Sequence, residues 1–81
     1  MDISQAVRLL LSNQGCGLLP VEEIQDGSLL YEIGFDSLRY MELVVLLEEQ
    51  FAFEFQDDQL EISEATSVSD IIKTVQGSVQ A

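Results

Sequence analysis

The chain has no histidine in its 81 residues, a single cysteine (Cys16), and only three basic side chains, Arg8, Arg39 and Lys73. Each scarcity removes a class of chemistry. Without an imidazole no Ser–His pair exists, so a serine here cannot be activated as in a triad hydrolase. One thiol cannot close an intramolecular disulfide or build a cysteine metal cluster, and no metal site is expected. Cys16 itself reads as packing or incidental, with a redox role as the lesser alternative. Three cations against fifteen carboxylates leave a formal net charge of −12. That charge repels nucleic acid and anionic lipid and attracts partners with basic surfaces, although acidity also serves simply to keep a small domain soluble. No apolar run nears the ~20 residues of a membrane span and no cationic leader precedes one, so we expect a cytoplasmic protein without membrane contact. One proline and five glycines fit a structure built mainly from helices, and the expected fold class is all-α.

What is present is enough apolar residue for a thin core in one small domain, residues 1–81. Ile3, Val7 and Leu10, widened by Ala6 and Leu11, recur at helical spacing and predict a first helix over residues 2–12, stopped by Asn13-Gln14-Gly15. Residues 15–33 are long for a loop. Leu18, Leu19, Val21, Ile24, Leu29, Leu30 and Ile33 suggest that the segment packs on the helices, while Pro20 and Asp26-Gly27 break regular structure within it. A second helix is expected over residues 37–52 with Asp36 as its N-cap. Residues 51–55 alternate as an extended segment would, ahead of a short helical turn over 57–62. Ser67-Val68-Ser69-Asp70 has capping-box spacing, and Val68, Ile71, Ile72 and Val75 form the apolar stripe of a last helix. Residues 76–81 are expected to be a flexible tail.

At about 100° per residue the second helix divides into two arcs. Tyr40, Leu43, Leu47 and Phe51 share one and should face the core. The other holds Leu38, Met41 and Val45 interleaved with Glu42, Glu48 and Glu49. Apolar residues ringed by carboxylates suit docking to a greasy groove with a basic rim. The competing possibility is that the long loop covers this arc.

Gly34-Phe35-Asp36-Ser37-Leu38 places a serine on the first turn of that helix, directly after its cap. There the free amides and the helix dipole favour negative charge, and a phosphodiester on the serine oxygen would be well placed. Asp-Ser at a helix start is often only a cap, so the context matters. Val21-Glu22-Glu23-Ile24, residues 26–33, the 34–38 motif, Glu42-Leu43, Leu47-Glu48-Glu49 with Phe51, and Thr66-Ser67-Val68 with Ile71-Ile72 together resemble the acyl and peptidyl carrier proteins over nearly the whole chain.

The resemblance implies a small four-helix carrier bundle: three main helices, one short helix and a long first loop. It implies a covalent 4′-phosphopantetheine arm on Ser37, taken from coenzyme A by a phosphopantetheinyl transferase with magnesium. Asp36 and Leu38 flank the attachment, and Leu38, Arg39, Met41, Glu42, Val45 and Glu48 match docking positions. The protein would catalyse nothing. It would hold acyl or aminoacyl groups as thioesters and carry them between a loading enzyme and downstream synthases, transferases or tailoring enzymes with basic docking surfaces. Arg39 stands where many fatty-acid carriers have an acidic or small polar residue, Phe35 is bulkier than the residue often found before the aspartate, and the third-helix region is a little long. These departures point toward polyketide, non-ribosomal peptide or related specialised metabolism. Met1 and self-contained helices lead us to expect a free-standing monomer.

Two other readings use different residues. A calcium module built on Asp57, Asp58, Glu61 and Glu64 fails, because no glycine lies between Gly34 and Gly77 to make the required turn. A non-covalent acidic inhibitor imitating nucleic acid would explain the charge without using Ser37.

Overall fold

In the computed structural model, which describes residues 2–79, Asp2 opens helix α1 (Ile3–Leu11) by accepting the Gln5 amide at 2.7 Å. Val7 and Leu11 are fully buried, as their spacing predicts. Ser12 ends the helix and is itself buried. Its hydroxyl donates to the Leu9 carbonyl at 2.7 Å and accepts the Gln14 amide at 3.1 Å, so the burial leaves no polar group unpaired. The chain then doubles back so closely on the end of α1 that a Cβ at Gly17 would collide with the Leu11 carbonyl.

The long loop does pack. Ile24, Leu30, Ile33 and Phe35 are buried, and one 3-10 turn (Val21–Glu23) interrupts it. Its backbone groups need partners, and the start of the last helix supplies them. Leu30 donates to Thr66 at 2.9 Å, while Ser28 and Asp26 accept the amides of Val68 and Ser69, also at 2.9 Å. Arg8 of α1 adds a bond to the Ile24 carbonyl at 3.1 Å and an ion pair with Asp26.

Helix α2 (Ser37–Phe51) buries Tyr40, Leu43, Val44 and Leu47. Phe51, expected in the core, is only partly buried, and Val44 takes the additional core position. The helix closes on Ala52 in the left-handed conformation, φ 55°. Residues 53–56 lack regular structure, with the Phe53 and Phe55 rings 5.0 Å apart.

The short helix expected over 57–62 is reduced to one 3-10 turn (Asp57–Gln59). An α-helix continuing through it would join the Ser63 amide to the Gln59 carbonyl. Instead the Tyr40 hydroxyl donates to Gln59 at 2.8 Å and the Ser63 amide goes to Thr66 Oγ1 at 3.0 Å. Both ends of the missing bond are already engaged.

Helix α3 (Val68–Val79) starts with the expected capping box: Ser67 donates its amide to Asp70 Oδ2 at 3.0 Å, and Asp70 donates its own to Ser67 Oγ at 3.2 Å. It continues through residues 76–79, where a tail was expected. Gly77 within a helix costs about 1 kcal/mol but does not break one. Residues 80 and 81 of that expected tail lie outside the described residues. Among the described residues there are three α-helices, two 3-10 turns and one isolated bridge, Leu29 to Ser67. α1 packs on both α2 and α3, and the core lies where the three meet.

Candidate functional site

The turn leading into α2 is held from both sides. Ile33 and Phe35 are buried, and Phe35 donates its amide to the Leu30 carbonyl at 3.0 Å. The bulk of Phe35 is thus core packing that anchors the turn. Gly34 between them has φ 99°, and a Cβ there would lie 2.6 Å from Leu18 Cδ1. The positive φ is what requires glycine, since the exposed Leu18 side chain could shift aside.

Asp36 follows as the cap. Its Oδ1 accepts the Arg39 amide at 2.8 Å and its carbonyl accepts the Tyr40 amide at 2.8 Å. Ser37 is the first residue of α2 and is exposed. The amides of Ser37 and Leu38 have no possible partner within the helix, so they and the positive end of the dipole face whatever the serine oxygen carries.

Beside Ser37 opens a cleft of about 250 Å³, lined by Ser37, Met41, Leu60, Glu61 and Ile62. Leu60 and Ile62 escaped the sequence reading, and Glu61 entered it only as a rejected calcium ligand. Leu60 and Ile62 were the only hint, and they sit in a stretch with no period to assign them a face. A phosphate on Ser37 would meet free amides, and a chain attached to it has an open, partly apolar groove at its base. The residues present therefore fit an anionic linkage to a flexible arm.

The second arc is exposed, so the loop does not cover it: Leu38 is 74% exposed, Val45 49% and Met41 42%. Glu42 and Glu49 are also at the surface. Two residues expected beside them turn inward. Glu48 is partly buried and accepts the Phe55 amide at 2.9 Å, which ties the end of α2 to the chain that follows. Arg39 is partly buried and its Nη1 donates to the Cys16 carbonyl at 2.6 Å. Burial, and then the nearby Glu42 carboxylate, push the Cys16 thiol above its ordinary pKa, which keeps it protonated and poorly nucleophilic. Burial likewise raises Tyr40.

A capped helix start with an exposed serine, in a three-helix core braced by a packed loop, defines a small helical carrier domain. The profile of the phosphopantetheine attachment site matches residues 15–75. The acyl carrier protein of Chlamydia trachomatis serovar L2 is 34% identical over 76 residues, covering 94% of this chain and 95% of that protein. The non-reducing polyketide synthase pkdA of Emericella nidulans is 39% identical over 80 residues, 99% of this chain, and clavatol synthase claF of Penicillium crustosum is 40% identical over 77 residues, 94% of this chain. This chain spans only 3% of each of those two synthases. The protein belongs to the acyl carrier family, the proteins built around a phosphopantetheine attachment site. Its cofactor is 4′-phosphopantetheine, and its role is that of a carrier, not a catalyst. Carrier domains of this kind work with synthase and transferase partners. Among the described residues no helix is long and apolar enough to cross a membrane.

Proposed function

We propose that Ser37 is the residue that takes the arm, within one carrier domain spanning residues 1–81, and that the chain serves a polyketide, non-ribosomal peptide or related specialised pathway in the cytoplasm. The observation that carries this reading is the exposed Ser37 hydroxyl on the first turn of α2, after the Asp36 cap and beside the free amides of Ser37 and Leu38. Ser37 Oγ attacks the pyrophosphate phosphorus of coenzyme A, displaces adenosine 3′,5′-bisphosphate and loses its proton to a base on the phosphopantetheinyl transferase. When bound, the arm supplies a terminal thiol on which acyl or aminoacyl cargo is held as a thioester.

Partner enzymes, from the loading enzyme to downstream synthase, transferase and tailoring enzymes, dock on Leu38, Met41, Glu42 and Val45. The partner chemistry follows from the surface: an apolar groove for the three exposed apolar side chains and a basic rim for Glu42 and Glu49. The specialised-pathway reading draws on likeness to two polyketide synthases and on the basic Arg39 beside the motif. The carrier acts as a monomer.

Incubation of the folded chain with coenzyme A, magnesium and a broad-specificity phosphopantetheinyl transferase should add one arm by intact mass. Ser37→Ala should gain none. A folded wild-type chain that gains no mass with several transferases would overturn the assignment and leave a non-covalent acidic interaction protein.

A further inference from the structure

Arg39 is a lone cation on an acidic helix, and its position beside the motif invites a docking role. Its geometry says otherwise. The guanidinium is partly buried and donates to the Cys16 carbonyl at 2.6 Å, across 23 positions of sequence. The backbone amide of the same residue closes the Asp36 cap at 2.8 Å. Arg39 therefore bonds on two sides of Ser37: to the cap that precedes it and to the distant loop that lies against it.

The loop end of this contact is itself fixed. The Cys16 amide donates to the Leu10 carbonyl at 3.1 Å and the Gly17 amide to the Ser12 carbonyl at 2.9 Å, so the segment is tied to the end of α1. Leu18 comes next, and its side chain fills the space beside Gly34 that a Cβ would need. A continuous path of contacts thus runs from the end of α1 through residues 16–18 to the turn before Ser37, and Arg39 closes it into a ring.

We propose that Arg39 is a positioning residue for the arm-addition reaction: its guanidinium straps the residue 16–18 loop to the first turn of α2, and so fixes the direction in which Ser37 Oγ is presented to the transferase. This rests on the reading of Ser37 given above. Small displacements of a reacting atom cost rate more than they cost binding, and the surface by which a partner binds α2 is left intact when the strap is cut. Loss of the strap therefore lowers kcat for arm addition. A docking residue, in contrast, would act through KM and would be sensitive to salt.

The test measures kcat and KM for arm addition on wild type and on Arg39→Ala, Arg39→Lys and Arg39→Gln, together with hydrogen exchange at the Gly17 amide. For Arg39→Ala, kcat should fall by about tenfold, the size of one lost charge-assisted hydrogen bond, with KM nearly unchanged. Gly17 exchange should accelerate in the same variant. Arg39→Gln keeps a donor without the charge and should recover part of both, as should Arg39→Lys. Should Arg39→Ala fail to fold, the lysine and glutamine variants decide by the same two readouts. A salt-dependent rise in KM at constant kcat, with no recovery in Arg39→Gln, overturns the strap in favour of docking. Wild-type kinetics and exchange in Arg39→Ala overturn it outright. A wild-type chain that accepts no arm removes the Ser37 reading and this role with it, an outcome distinct from modified chains that are indifferent to residue 39.

Discussion

The two arcs of α2 make opposite demands on substitution, and a pair of variants separates them. Leu47 is fully buried, in contact with the shared core. Truncation to alanine removes its apolar transfer energy and leaves a cavity, about 2–5 kcal/mol in total. A chain of 81 residues has a total stability of about 4–12 kcal/mol, so Leu47→Ala removes a large fraction of it. At about 4–8 °C per kcal/mol for a domain of this size, Tm falls by roughly 8 °C at the least.

Met41→Glu lies on the same helix, two residues before Leu43. Met41 is 42% exposed, and its neighbours at i±3 and i±4 are Leu38, Val44, Ser37 and Val45, none of them a carboxylate. Glu61, across the cleft, is exposed and screened. Net destabilisation should stay within about 1 kcal/mol, since a half-exposed methionine loses only part of its apolar contact. Urea unfolding followed by far-UV circular dichroism gives both values, and an arm-addition assay reads docking in parallel. The expected result is a large stability loss with Leu47→Ala, and a normal transition with weakened partner transfer for Met41→Glu. A loss of 2 kcal/mol or more in Met41→Glu, by the core-packing scale, would show that the second arc is structural and refute the docking surface.

Other outcomes are as direct. Ser37→Ala should unfold like wild type yet gain no mass with coenzyme A and a transferase, since an exposed first-turn hydroxyl contributes little to packing. Ala52→Gly should raise stability by about 0.5–1 kcal/mol in urea titration, because an alanine now occupies the left-handed C-terminal position that glycine adopts without a steric penalty. Alkaline pH should destabilise the fold: the raised folded-state pKa values of Cys16 and Tyr40 favour the protonated native state, so their contribution is complete below the thiol's ordinary 9.0 and declines as pH rises through the folded values. A pH series of unfolding midpoints checks this, and Cys16→Ala with Tyr40→Phe should flatten it.

The parts of the fold that local chemistry dictates were legible in the chain. Two of the three carboxylate caps, Asp36 and the Ser67–Asp70 pair, act within three residues and were read from spacing alone, while Asp2, placed inside the first helix by its period, caps it instead. The stripes of α1 and α3 follow from period, and so does most of the core face of α2. What period cannot supply is the partner across space. The stretch 57–62 has helix-compatible residues, yet Tyr40, seventeen positions before the 3-10 turn begins, takes the carbonyl that a longer helix would need. The cleft beside Ser37 was invisible for the same reason, because Leu60 and Ile62 reach it only through the path of an aperiodic segment.

The docking arc shows the same limit on one helix. Angle around the axis places Glu48 with Leu38, Met41, Glu42 and Val45, and the family resemblance adds Arg39, but neither fixes where a long side chain goes, and both of these residues can reach away from the docking face. Each finds a backbone partner left over by irregular structure: Arg39 the Cys16 carbonyl, Glu48 the Phe55 amide. Irregular segments have more such groups than their own backbone can pair, and a charged side chain is a strong partner for one. Charged residues flanking the ends of a helix that is bordered by loops are thus the ones whose outward reading is least secure, whereas mid-helix Glu42, with no loop backbone bonded to it, stays at the surface. The proposed docking arc accordingly narrows to Leu38, Met41, Glu42 and Val45, and the two residues that leave it brace the ends of the helix that carries it.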